Sequence, residues 1–245
     1  MKRILITIFC FLISGVAWSA GDGDLMHAEV DLSDEASLQR GATIFINYCM
    51  GCHSASYMRY SRLANDLHIT EEILIENLMF GTDKPGETLT TSMTSDDAAQ
   101  FFSIAPPDLS VTARARGADW LYTYFMSFYR DDSRPAGVNN LVLSGVSMPH
   151  VLWEKQGWQR PVMVEEENPD GSTTMVISHL ELETPGELDE EEYSNYVTDL
   201  VNFMVYLGEP VKLKRFAIGS WVIVYLLILL LVFYILKKEY WRDVH

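Results

Sequence analysis

Residues 45–53 read Phe-Ile-Asn-Tyr-Cys-Met-Gly-Cys-His, and the last five, Cys49-Met50-Gly51-Cys52-His53, form C-x-x-C-H. This spacing is the attachment signature of a c-type haem. Thiols three residues apart on a helical turn face the same way, so they reach the two vinyl groups of one porphyrin. His53, four residues after Cys49, is then placed under the iron. A thioredoxin-like dithiol would need a βαβ setting that the flanking sequence lacks, and a structural zinc site would need further cysteine ligands. The chain has three cysteines, and the third is Cys10, near the start.

Upstream of the motif, Leu38, Ala42, Phe45, Cys49 and Cys52 recur at three- and four-residue steps, which predicts an amphipathic helix over 36–49. Further out, a short helix is expected at 70–79, a long loop at 81–109, an aromatic-rich helix at 117–129 and loop chemistry again at 135–150. Asn168, Pro169, Asp170 and Gly171 separate two β-prone runs, predicting a small hairpin at 162–178. Tyr193, Tyr196, Val197, Leu200, Val201, Phe203, Met204 and Leu207 mark a strong helix at 191–207.

The two ends set the compartment. Residues 1–19 run from Lys2-Arg3 through an apolar stretch, Ile4 to Val16, to Ala17-Trp18-Ser19, the pattern of a secretory signal peptide, whose removal would take Cys10 with it. The apolar stretch is shorter than the roughly 20 residues of a spanning helix, which disfavours an uncleaved anchor. Residues 216–236 contain no charge and cover the roughly 30 Å hydrocarbon core of a bilayer. They are expected to form a transmembrane anchor, with residues 20–211 as a periplasmic domain and 237–245 as a cytoplasmic tail. Basic residues flank the anchor equally on both sides, so the signal peptide alone decides this orientation.

Charge narrows the function. The chain carries 18 Lys plus Arg against 34 Asp plus Glu, a formal net charge of −16. Residues 20–211 hold 10 basic and 32 acidic side chains, a net −22. Nucleic acid is thereby excluded as a natural partner, whereas a basic protein would be attracted. Much of the acidity lies at Glu165–Glu167 and between Glu181 and Glu192.

An electron-carrying haem needs a sixth ligand, and Met or His supplies it. Met50 and Met58 lie too close to His53 in sequence to cross the haem plane. Met126 and Met204 sit in helices and read as flexible core filler. The loop methionines Met93, Met148, Met163 and Met175 remain, and Met148, in Gly145-Val146-Ser147-Met148-Pro149, has the most rigid setting.

These residues, taken with RGATIFINYCMGCHSASYMRYSRL, APPDLS at 105–110, ARARGADWLY at 113–122, NNLVLSGVSMPH at 139–150 and YVTDLVNFMVYLGEP at 196–210, closely resemble the cytochrome c1 family of proteobacteria. The resemblance implies a mainly α fold: a class I cytochrome c-like haem domain with long loops and a small β-hairpin, plus one C-terminal membrane helix. It implies one covalent haem c with His53 and Met148 as axial ligands, Arg116 paired with a haem propionate, Pro106 and Pro107 lining the haem edge, and Trp120 near the second propionate, where many relatives carry Tyr. It further implies a one-electron relay, without catalysis of its own, from a Rieske iron–sulfur subunit to a soluble or membrane cytochrome c. Cytochrome b, a dimeric complex and the inner-membrane bilayer complete the expected surroundings. Two other readings fit the bare motif: a membrane cytochrome c serving another reductase or terminal oxidase, and a haem ligand sensor with an open sixth site.

Overall fold

The computed structural model describes residues 25–168 and 171–243; the expected signal peptide lies outside them. The architecture follows from one helix pair. Helix α1 (Glu35–Ile44) begins at Asp34, whose carboxylate accepts from Ser37 N, and buries Leu38, Gly41, Ala42 and Ile44. Its partner is the 19-residue helix from Glu190 to Gly208, the eighth α-helix among the described residues. That helix starts with a capping box in which Asp189 and Glu192 satisfy each other's backbone donors. The two approach so closely that a Cβ at Gly41 would lie 2.1 Å from Asp199 O and 2.6 Å from Phe203 Cβ. Arg40 clamps the crossing with a forked ion pair to Asp199, at 2.6 and 2.8 Å. Phe45 packs on Phe203 with ring centroids 5.5 Å apart.

The expected helix over 36–49 changes character at its end. Phe45–Cys49 is π-helical, with Met50 N donating to Phe45 O at 3.1 Å. The chain then turns, with Cys52 N and His53 N both donating to Cys49 O. Strand β1 (Ala55–Arg59) and helix α2 (Tyr60–Asp66) follow, then α3 (Glu71–Leu78), close to the helix expected there. The stretch 81–109 is not all loop: it contains β2 (Thr88–Leu89), antiparallel to β1, and α4 (Ser95–Phe102). Thr94 caps α4 by accepting from Asp97 N, so residues that read as turn formers start a helix instead.

Helices α5 (Thr112–Arg116) and α6 (Ala118–Met126) are separated by Gly117, at φ +93°. The expected helix over 117–129 therefore ends three residues early, because Phe128–Arg130 pairs as β3 with β4 (Val138–Asn140). After a single turn, α7 (Trp153–Gln156), the hairpin is longer than its sequence signal: β5 (Gly157–Glu167) pairs with β6 (Thr173–Pro185). Two register shifts, near Trp158 and Val162, accommodate the unequal strands. Helix α8 is the capped helix Glu190–Gly208, and α9 runs from Lys212 to Tyr240.

Among the described residues the result is a helical domain with three small two-stranded antiparallel sheets. Its core lies where α1, α6 and α8 meet, and Phe45, Leu121, Phe125, Val197, Leu200, Val201 and Phe203 are buried there. Helix α9 has 29 residues, about 44 Å of rise. None of its side chains is buried, and it is long and apolar enough to cross a membrane.

Candidate haem site

The turn after the π-helical residues delivers two thiols to one wall of a cleft of about 430 Å³. Cys49 is buried, Cys52 is half-buried, and both are free thiols. Burial, reinforced by the neighbouring Cys52, pushes the Cys49 thiol up to about 12. His53 lines the same cleft. Its Nδ1 lies 2.7 Å from Pro107 O. A carbonyl only accepts, so Nδ1 carries the proton and Nε2 keeps its lone pair. Burial lowers the His53 pKa, partly opposed by the Pro107 carbonyl, and the ring stays neutral and able to ligate.

Pro107 is held by its neighbours. Leu109 N donates to Ser54 O at 2.8 Å, and Asp108 accepts from Ser56 N at 3.0 Å and Ser110 N at 2.8 Å. Ser110 Oγ accepts from Tyr57 N. The segment 107–110 is thus laced to residues 54–57, immediately after the motif, which fixes the carbonyl that fixes the imidazole. Partial burial pushes the Asp108 carboxyl up, but hydrogen bonds from Ser110 and Ser56 outweigh it and leave the pKa below the ordinary value.

Met148 comes to the cleft from a different part of the chain. Asn139 Oδ1 accepts from Gly145 N at 2.8 Å, and Arg134 donates to Gly145 O at 2.7 Å. Asn140 Oδ1 accepts from Val142 N and Leu143 N, while its Nδ2 donates to Tyr124 O. The Asn-Asn pair therefore ties both ends of the 141–145 turn to the core, and Gly145 at φ +77° takes a conformation that other residues adopt at a cost. Beyond Met148, Val146, His150 and Leu152 are buried. Burial pulls His150 down to about 4, and its ring stacks on Phe128 at 4.9 Å.

Arg116, Trp120 and Tyr124, spaced by four, line a third side of the cleft. The Arg116 guanidinium lies 5.0 Å from the Trp120 ring centroid, and Trp120 stacks on Tyr124 at 5.1 Å and 11°. The Tyr124 hydroxyl donates to Met148 Sδ at 3.3 Å. The sequence assigns Tyr124 no role beyond the aromatic-rich helix, although its four-residue step from Arg116 and Trp120 is a usable signal. Pro106 also lines the cleft. Of the other loop methionines, Met163 and Met175 lie on the exposed hairpin, and Met93 is not among the residues lining the cleft. Met204, read as filler, is buried in α8 and borders the cleft.

The donor set suits a haem. Two free thiols, an imidazole nitrogen and a thioether face a mostly apolar cleft with a guanidinium among its lining residues, as an apolar macrocycle with acidic edge groups requires. Comparison with known proteins decides the family. The Cytochrome C1 family model matches residues 27–160. Cytochrome c1 of Allochromatium vinosum is 48% identical over 246 residues that cover all of both chains. The chain belongs to the cytochrome c1 family. Cytochrome c1 of Rhodospirillum rubrum is 24% identical over 279 residues, spanning all of this chain and 98% of that one. A Nitrosomonas europaea protein named ammonia monooxygenase gamma subunit is 42% identical over the full length of both. As a cytochrome c1, the chain is a haem-bearing electron-transfer subunit of a bc1 complex, alongside cytochrome b and the Rieske protein.

Proposed function

We propose that this chain relays single electrons from the Rieske iron–sulfur subunit to a cytochrome c, through a haem c held covalently by Cys49 and Cys52 and axially by His53 and Met148. The observation that carries this reading is the Pro107 carbonyl on His53 Nδ1, which leaves Nε2 free in the cleft that Met148 also enters. When bound, the haem supplies a one-electron couple at its iron. His53 provides a neutral, oriented nitrogen. Met148 provides a soft thioether that favours the ferrous state relative to a second imidazole. Arg116 is suited to a propionate, since a guanidinium beside a carboxylate offsets part of its desolvation. Trp120 carries an indole N–H for the second propionate, and the proline pair borders the ring edge.

In this reading residues 1–19 are removed on export, residues 20–211 form the periplasmic haem domain, residues 216–236 anchor it in the inner membrane, and residues 237–245 are cytoplasmic. The chain works in a dimeric complex and has no substrate of its own. The name of the Nitrosomonas relative describes that protein; the gathered C-x-x-C-H, Met148 and Arg116 support electron relay here. The test is purification of the complex from membranes, with quinol reduction of the haem c followed by its oxidation by added cytochrome c. Co-purification of cytochrome b and a Rieske protein, with reduction abolished when the Rieske protein is removed, is expected. Quinol reduction that persists without the Rieske protein would overturn the proposal.

A further inference from the structure

A thioether sulfur is a weak hydrogen-bond acceptor, yet it is the partner of the Tyr124 hydroxyl. Tyr124 is 6% exposed, and its hydroxyl donates to Met148 Sδ at 3.3 Å. Its position is over-determined. Its backbone oxygen accepts from Asn140 Nδ2 at 2.7 Å, Trp120 stacks flat on one face, and Phe125 and Phe128 meet the ring edge-on. The ring therefore has little freedom to swing away. Asn140 also holds the turn that leads to Met148, so donor and acceptor are anchored to one side chain.

We propose that Tyr124 is a positioning residue for the electron relay: its hydroxyl fixes the Met148 thioether and, by drawing on one sulfur lone pair, raises the reduction potential of the centre. The inference rests on Met148 being the sixth ligand. A thioether sulfur has two lone pairs, so one can face the iron while the other accepts from the hydroxyl. The O–H dipole turns its positive end toward the sulfur and withdraws density from it. The ferric state, which depends more on that density, loses more than the ferrous state.

Two expectations follow that separate this role from simple packing. Tyr124→Phe keeps the ring and its stacking and removes only the donor. With the hydrogen bond gone, the ferrous-to-ferric ratio at a fixed applied potential should fall about two- to tenfold, the net worth of one hydrogen bond; tenfold corresponds to about 59 mV for one electron. The sulfur, released from the hydroxyl, should grip ferric iron more firmly, so added imidazole should displace it less readily. A residue that merely packed would give the opposite second result, since a looser loop would admit imidazole more easily.

The experiment is redox titration and imidazole titration of the full, haem-loaded chain in detergent, with Tyr124→Phe and Met148→Leu compared with the unsubstituted protein. A lower potential, a retained ferric thioether–iron absorption band and weaker imidazole binding in Tyr124→Phe support the inference. An unchanged potential, or a lower one with tighter imidazole binding, overturns it while leaving the ligand assignment standing. Persistence of the thioether band in Met148→Leu overturns the ligand assignment, and the inference with it. Should Tyr124→Phe fail to accumulate with haem, redox-difference infrared spectra of the unsubstituted protein with ring-labelled tyrosine provide the second measurement. A labelled C–O band that moves with oxidation state is expected, and its absence overturns the inference.

Discussion

Replacing Gly41 with alanine sets two opposed effects against each other. In an exposed helix interior, alanine is favoured over glycine by about 0.8–1.0 kcal/mol, so propensity alone predicts a more stable α1. The structure predicts the reverse. The added Cβ would sit 2.1 Å from Asp199 O, 2.6 Å from Phe203 Cβ and 2.8 Å from Asp199 C. All three are backbone or Cβ atoms, so no side-chain rotation relieves the overlap, and α1 must back away from α8. Separation strains the Arg40–Asp199 fork and loosens the Phe45–Phe203 contact. Overpacking of this kind costs about 1–3 kcal/mol or more. Because the overlap is with backbone, the cost belongs to the upper part of that range, about 2–3 kcal/mol, and subtracting the propensity gain leaves a net loss of about 1–2 kcal/mol. At about 2–4 °C per kcal/mol for a chain of this size, Gly41→Ala should melt roughly 2–8 °C below the unsubstituted protein. The assay is a thermal melt of the haem-loaded chain in detergent, followed by far-ultraviolet circular dichroism. Gly86→Ala, whose Cβ meets nothing within 4 Å, is the control and should stay within about 0.5 kcal/mol. A Gly41→Ala protein that melts at or above the unsubstituted temperature would refute the close crossing.

Three further outcomes follow. A Cys49→Ser, Cys52→Ser double variant should carry no haem on a denaturing gel, and retained haem stain would remove both thiols from the attachment reading. Because the folded Asp108 carboxyl sits below its unfolded value, it contributes stability above a pH of about 3.9, and that contribution disappears as the pH falls through the depressed folded value. Asp108→Asn should therefore be less stable near neutrality and flatter in acid melts; a parallel curve for the two proteins would contradict the hydrogen bonds from Ser56 and Ser110. Electron transfer to a basic cytochrome c should slow steeply with salt, and Glu190→Gln with Glu191→Gln should flatten the dependence without altering the haem spectrum; a salt-insensitive rate would make the acidic face a solvated surface only.

The structure sharpens that last choice of residues. Among the acids between 181 and 192, Glu181 pairs with Arg160, Glu183 with Arg130 and Glu187 with Lys155. Asp189 and Glu192 are occupied by the capping box. Glu190 and Glu191 have no ion-pair partner among the described residues, so their charge is the more available to an approaching cation. Neutralising Glu187 instead would also break a contact between α7 and the segment leading into α8, and would confuse docking with stability.

What was legible in the sequence, and what was not, divides along the range of the interactions involved. The C-x-x-C-H motif, the apolar C-terminal run and the 3.6-residue period of α8 depend on neighbours along the chain, and each appears close to where it was expected. Helix α4 was hidden because Thr94, Ser95 and Asp96 are cap residues and turn residues alike, and only the bond from Asp97 N to Thr94 distinguishes the two. The hairpin outgrew its signal because its base, Gly157–Pro161, carries a glycine and a proline and no regular alternation of polarity, although it pairs with Leu180–Pro185. The aromatic helix was read three residues too long because Phe128–Arg130 is claimed by β4, ten residues downstream. The four-residue step places Tyr124 beside Arg116 and Trp120, but its contact with a sulfur 24 residues away is not legible in the sequence.

The same division explains how the site is built. His53 comes with the attachment motif, yet its ring is set by a carbonyl 54 residues later, on a segment stitched to Ser54, Ser56 and Tyr57. Met148 is set by a different network, through Asn139, Asn140, Arg134 and Tyr124. The two networks share none of these residues. Perturbing the first should disturb the orientation of the imidazole while leaving the thioether in place, and perturbing the second should do the reverse. Helix α6 joins the second network to the core, because Tyr193 of α8 donates to Phe125 O and Tyr124 reaches the thioether from the adjacent position. A relay that must change charge without changing shape benefits from this arrangement, since His53 donates to the Pro107 carbonyl and Met148 accepts from the Tyr124 hydroxyl, and neither partner carries a redox-dependent charge. Little reorganisation is then required of the protein when the electron arrives or leaves.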